Sequence, residues 1–119
     1  MKQERSAKRR ERILDAAFTV FSQRGYRQAS VDDVGRQAET SKGGVYFHFP
    51  TKESLFLELL RTTADRLVAK VDRTVAGVDD PIERADVALR TVLTVFAGHR
   101  TMARLFLIDA VGAGPEFQA

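Results

Sequence analysis

No cysteine occurs among the 119 residues of this chain. That excludes a disulfide framework and any zinc finger built on cysteine. No apolar run approaches the ~20 residues that a membrane-spanning helix needs. The N-terminus is charged and has no apolar stretch of the kind a secretory signal requires. The cytoplasm is therefore the expected compartment, with no membrane partner. Internal repeats and low-complexity segments are also missing. So are a Gly-rich phosphate loop and a nucleophile elbow. Tyr46, His48 and Lys52 are residue types of an acid–base set, but no carboxylate is placed to orient the histidine. His99 lies far along the chain, and no second ligand stands near His48 at metal spacing. The chain is expected not to be an enzyme and to hold no cofactor or metal of its own. At this length it makes one domain, or one small domain and part of another.

The densest information lies in Thr40–Lys52, which reads TSKGGVYFHFPTK. Ser41 is a good N-cap, so Lys42 opens a short predicted helix that runs to Phe49. Pro50 stops it, because proline disfavours helical geometry in the residue before it. Thr51 caps the next helix, with Ser54 in the place of the Glu or Gln of a capping box. Two glycines inside so short a helix cost roughly 1 kcal/mol each relative to alanine. Helix stability does not select them; close approach of another surface to the backbone does. Before this helix, Ser30 caps a second short one over 31–38, with Val31, Val34 and Ala38 at helical spacing. Glu39 and Thr40 form the turn. Two short helices joined by a tight turn are the helix-turn-helix plan, whose second helix enters the DNA major groove. Upstream, residues 13–25 read as a longer amphipathic helix with Leu14, Ala17, Phe18 and Phe21 on one face. Gly25 is its C-terminal stop and Tyr26 a hydrophobic lock.

Charge follows the same division. Residues 1–56 hold 11 Lys and Arg against 7 Asp and Glu, and residues 57–119 hold 8 against 9. The basic excess thus sits with the predicted DNA-reading unit. Read alone, Lys8-Arg9-Arg10-Glu11-Arg12 is a solvated helix face or a frayed end. Beside a helix-turn-helix it reads as an arm near DNA phosphates or the minor groove. Lys42 and Lys52, each at a helix start, are point charges suited to phosphate. The helix starts at Ser30-Val31 and Thr51-Lys52 offer backbone N–H groups to phosphates as well. Tyr46 can donate its hydroxyl while its ring packs on the core, and His48 is either a surface histidine or a neighbour of the next phosphate. Val45 and Phe49 are core.

The ordered segments Ile13-Leu14-Asp15-Ala16-Ala17, Phe21, Arg24-Gly25-Tyr26, Ser30-Val31-Asp32-Asp33-Val34, Ser41 to Phe49 and Lys52-Glu53-Ser54-Leu55 resemble the DNA-binding domain of TetR-family transcriptional regulators. The resemblance covers residues 8 to about 60. It implies an all-helical, homodimeric, ligand-responsive regulator, usually a repressor, that binds a palindromic double-stranded DNA operator. It also implies roles. Lys42, Tyr46, His48 and Lys52 match the family's backbone-contact positions, and Thr40, Gly43, Gly44 and Phe47 match positions that face base edges. Two positions depart from the pattern. Glu39 stands where glycine is common in the turn, and a turn that needs φ > 0 would strain it by about 1 kcal/mol. Gly35 stands where alanine is common, and it is expected to let two helices approach closely.

The fold class expected is all-α. A three-helix helix-turn-helix domain over 1–50 is followed, over 51–119, by a long linking helix and part of a helical effector-binding and dimerisation bundle. The linking helix is predicted over 52–76 and ended by Gly77. Asp80 caps the next helix, Pro81 fits its first turn, and Ile82, Ala85, Ala88, Leu89, Val92, Val95 and Phe96 mark an apolar face to about Ala97. Residues 98–100 are a break, 101–111 a further apolar helix, and 112–115 a loop or kink. The family resemblance implies more helices beyond Ala119, the last two forming the dimer interface. The chain is therefore expected to be truncated, with these apolar faces short of their usual partners and the site for a small-molecule effector of unknown identity incomplete. Two other readings of the residues are a helical protein-interaction module that uses the faces after residue 80, and a small-molecule sensor without DNA function.

Overall fold

The computed structural model describes residues 2–112, and among these every regular element is helical. They are α1 (Lys2–Gln28), α2 (Val31–Gln37), α3 (Lys42–His48), α4 (Lys52–Val75), α5 (Pro81–Gly98) and α6 (Arg100–Arg104). A π-helical turn, Leu105–Asp109, and a last short helix α7, Ala110–Gly112, continue α6. Of the loop expected over 112–115, residues 113–115 lie outside the described residues.

Helix α1 starts at Lys2, not at Ile13 as the apolar pattern predicts. Residues 2–12 are nearly all exposed. They are rich in Lys, Arg, Glu and Gln, which are good helix formers. Periodicity reports which residues are buried, so a helical turn that buries nothing leaves no such mark. Ile13, Leu14, Ala17, Val20 and Phe21 then bury one face of α1. At Gly25 the backbone turns to φ 78°, in the left-handed region that L side chains rarely adopt. This break swings Tyr26 back onto the core, where its ring stacks 5.8 Å from Phe21 and lies 4.6 Å from Phe56 of α4. Phe21 and Phe56 complete the cluster edge to face at 5.2 Å.

Local chemistry sets the short helices. Ser30 accepts from the Asp33 amide at 3.0 Å while the Ser30 amide donates to Asp33, a reciprocal capping box. Ser41 accepts from the Gly44 amide at 3.0 Å. Thr51 and Ser54 form a second box at the start of α4. Asp80 accepts from the Glu83 amide at 2.9 Å, with Pro81 in the first turn of α5. Between α2 and α3 the turn places Glu39 at φ 57°, a positive value on a non-glycine residue. The Thr40 amide closes the turn on the Gly35 carbonyl at 2.9 Å. Gly35 does serve a close approach, but to this turn rather than to another helix. A Cβ there would stand 3.0 Å from the Thr40 carbonyl oxygen.

One hydrophobic core runs through α1–α3 and takes in Leu55, Phe56 and Leu59 of α4. Leu105 from the π-helical turn joins it, almost fully buried. Arg104 donates to the Ser22 carbonyl and ties the same segment to α1. By contrast α5 buries no residue. Its Val87, Ala88, Val92, Val95 and Phe96 are half-buried, while Ile82, Leu89 and Leu93 stand exposed. The apolar face expected on α5 is therefore only partly covered. Among the described residues no helix is long and apolar enough to cross a membrane.

Candidate nucleic-acid interface

Helix α3 is held from behind and left free in front. Val45 is fully buried and Phe49, its C-cap, nearly so. At 3.6 residues per turn, burying 45 and 49 turns Lys42, Gly43, Tyr46 and Phe47 outward. All four are exposed, and Phe47 keeps 78% of its surface in water. An aromatic so exposed on a helix with an almost dry inner face has no packing role of its own. Among the described residues its ring contact is with His48, edge-on at 5.1 Å.

The two glycines of α3 answer to different constraints. A Cβ on Gly43 would meet only Ser41 Oγ, at 3.9 Å, so that side of the helix is open. A Cβ on Gly44 would lie 2.5 Å from Thr40 Oγ1. The half-buried Thr40 is thus folded over the first turn of α3, and Gly44 makes the room for it.

The basic groups expected around α3 differ in freedom. Lys42 is exposed and lies 3.9 Å from Asp32, a loose surface pair worth little in water. Lys52 is already engaged. Its Nζ sits 4.3 Å over the Tyr26 ring and donates to the Arg27 carbonyl at 3.4 Å. Burial holds its pKa below the ordinary lysine value, with Glu53 pulling the other way. An ammonium carries three donors, so a phosphate can still share it. His48 is half-buried, and its Nε2 is enclosed without a hydrogen-bond partner among the described residues. Burial first, then the charges of Arg9 and Arg10, lower its pKa and favour the neutral ring. At the start of α2, Ser30 spends its hydroxyl and amide in the capping box, and the Val31 side chain is buried. Only main-chain amides are left there, and they stand next to Asp32 and Asp33.

Sequence reasoning missed what Arg10 does. It stands in the basic run expected to lie near DNA, and it donates to Glu58 of α4 at 2.9 Å and lies 5.0 Å over the Phe49 ring. Arg61 also pairs with Glu58. Hydrogen bonds from Arg61, then Arg10, hold the Glu58 carboxyl at about 2. This three-charge tie fastens α1 and the end of α3 to α4. Lys8, Arg9 and Arg12 remain exposed. A parallel network joins α1 to α2, where Asp33 pairs with Arg24 at 3.4 Å and with Arg36. The Ser30 hydrogen bond, more than these arginines, keeps the Asp33 pKa low.

Residues 13–59 match the family described as bacterial regulatory proteins, tetR family. The chain is 37% identical over 111 residues to the HTH-type transcriptional repressor KstR2 of Mycobacterium tuberculosis, covering 92% of this chain and 56% of that protein. It is 34% identical over 96 residues to KstR2 of Rhodococcus jostii, covering 80% of this chain and 47% of that one. The solved structure of the ketosteroid transcriptional regulator KstR2 of Mycobacterium tuberculosis superposes with a TM-score of 0.72 at 28% identity, over 92% of this chain and 57% of that one. The chain thus spans about half the length of the curated relatives it matches.

Proposed function

From the premise that this chain belongs to the tetR family of bacterial regulatory proteins, we propose that it is a sequence-specific, DNA-binding transcriptional regulator and not an enzyme. We read it as a ligand-responsive repressor that acts as a homodimer on a palindromic operator in the cytoplasm. The observation that carries this is α3: two residues bury its inner face, while Lys42, Gly43, Tyr46 and Phe47 are turned outward. A protein-interaction module would account for the exposed apolar face of α5, but not for a glycine-opened helix flanked by Lys42 and Lys52.

In this reading Lys42 and the Tyr46 hydroxyl contact phosphates, Lys52 shares its ammonium with one, and His48 reaches a neighbouring one. Val31 contributes its main-chain N–H only, and Ser30, whose hydroxyl and amide are spent in the capping box, holds that helix start in place. Phe47 and Thr40 meet base edges, with thymine methyls as apolar partners. Gly43 lets the groove floor come close, and Gly44 acts indirectly by seating Thr40.

Selection of bound DNA from a random pool, followed by titration of the enriched sequence at several salt concentrations, tests the reading. Binding is expected to weaken steeply with salt, because Lys and Arg contacts release counterions. Lys42→Ala is expected to lower affinity for all sequences and to reduce the salt slope by roughly one unit. Phe47→Ala is expected to change base preference at particular positions by about 1–3 kcal/mol. A pool that enriches nothing would overturn the proposal.

A further inference from the structure

A cleft of about 470 Å³ opens where α1, α4, α5 and α6 meet. Ligand sites of roughly 300–1,000 Å³ are typically apolar with a few placed polar groups. Leu14 and Phe18 of α1, Leu59 and Leu67 of α4, Val95 of α5 and Met102 of α6 make its apolar wall. The charges are unevenly placed. Arg66 and Lys70 line the cleft from α4, are exposed, and make no ion pair among the described residues. At a rise of about 1.5 Å per residue, they lie about 10 and 16 Å along α4 from Leu59. The carboxylate in the lining, Asp15, comes from α1, next to Leu14 in the chain, and the two cations come from α4.

We infer that this cleft binds an amphipathic monoanion, an aliphatic body with one terminal carboxylate. The body lies along Leu14, Phe18, Leu59 and Met102. The carboxylate meets Arg66 and Lys70, which are free to pair, and Asp15 repels the reverse orientation. A cation of the same shape would face two like charges at one end. The inference deepens the regulator reading and rests on it for regulatory meaning, since the cleft joins α1 of the DNA-reading unit to α4–α6. Binding itself can be measured without DNA.

Calorimetry on the 119-residue chain would compare dodecanoate with dodecyltrimethylammonium, the same tail with the opposite charge. Dodecanoate is expected to bind one to one, roughly tenfold or more tighter than the ammonium. Arg66→Ala with Lys70→Ala is expected to remove that preference, and both positions are exposed, so the fold should survive. Leu67→Trp, which narrows the cleft, is expected to weaken both probes. Equal binding of the two probes, or dodecanoate binding unchanged in the double variant, would overturn the inference. A parallel titration with the selected DNA separates the two readings. Equal binding of the two probes by the unsubstituted chain with DNA binding intact sinks only the cleft, whereas preferential dodecanoate binding with no DNA affinity sinks only the regulator.

Discussion

Gly43 and Gly44 look interchangeable in the sequence, yet a side chain at each meets a different obstacle. A methyl on Gly43 makes only an ordinary contact with Ser41 Oγ at 3.9 Å, and one on Gly44 meets Thr40 Oγ1 at 2.5 Å. Gly43→Ala is therefore expected to stabilise the fold by about 0.5–1 kcal/mol, the helix-propensity gain of alanine over glycine. In the proposed complex the same methyl would face the groove, so DNA affinity should fall while stability rises. Gly44→Ala is expected to do the reverse on the first count, lowering stability as Thr40 is pushed off the helix. Denaturant melts and DNA titrations of the two variants would check this, and a common outcome for both would show that the glycines share one role. Glu39 adds a second case. At φ 57° it carries strain that glycine would not, so Glu39→Gly is expected to gain up to about 1 kcal/mol. Denaturation would measure it without reference to DNA.

At the scale of the elements, what was legible in the sequence was what is local. The caps at Ser30, Ser41, Thr51 and Asp80 join residues three apart, so their spacing shows in the chain itself. The inner face of α3 followed from helical period, and Gly25 from its place after the apolar run. What stayed hidden joins distant residues. Arg10 meets Glu58 across 48 positions and Lys52 meets the Arg27 carbonyl across 25. No period or spacing marks such pairs, so a basic run that read as a DNA arm turned out to hold one of the ties between helices. That tie has a pH signature. Glu58 has its folded pKa lowered from 4.5 to about 2. A carboxyl depressed on folding adds stability above its unfolded pKa and loses it as pH falls through the folded one. The shift sets an upper limit of about 3 kcal/mol by linkage. Arg10 and Arg61 are themselves largely in water, which reduces the expected value to about 1 kcal/mol. The chain should lose this stability between pH 4.5 and about 2. Glu58→Gln should lose it at neutral pH and flatten the profile in that window. A wild-type and a variant profile that run parallel would show that the tie contributes nothing measurable.

At the scale of the whole molecule, two features pull in different directions. The helices through Leu59, with Leu105, share a closed core. Beyond it, Ile82, Leu89, Leu93, Leu107 and Ile108 each leave more than half of their surface in water. The relatives run to about 1.7 times this length, so surfaces that would pair two copies need not be within residues 1–119. A single α3 of two turns makes few DNA contacts. In the proposed mode of action, two copies held as a dimer would place their α3 helices in successive major grooves, about 34–36 Å apart. The second contact then becomes intramolecular and gains strongly in effective concentration. We therefore expect residues 1–119 to fold and sediment as a monomer. On the selected operator they should bind a full palindrome little better than one half-site, beyond the statistical advantage of two sites. Sedimentation with titrations on half and full sites would decide it. A dimer that binds the palindrome far more tightly than the half-site would place dimerisation within this chain. The exposed side chains of α5 and of residues 107–111 would then be the first to change, and Leu89→Glu with Leu93→Glu should return the protein to a monomer while leaving half-site affinity untouched.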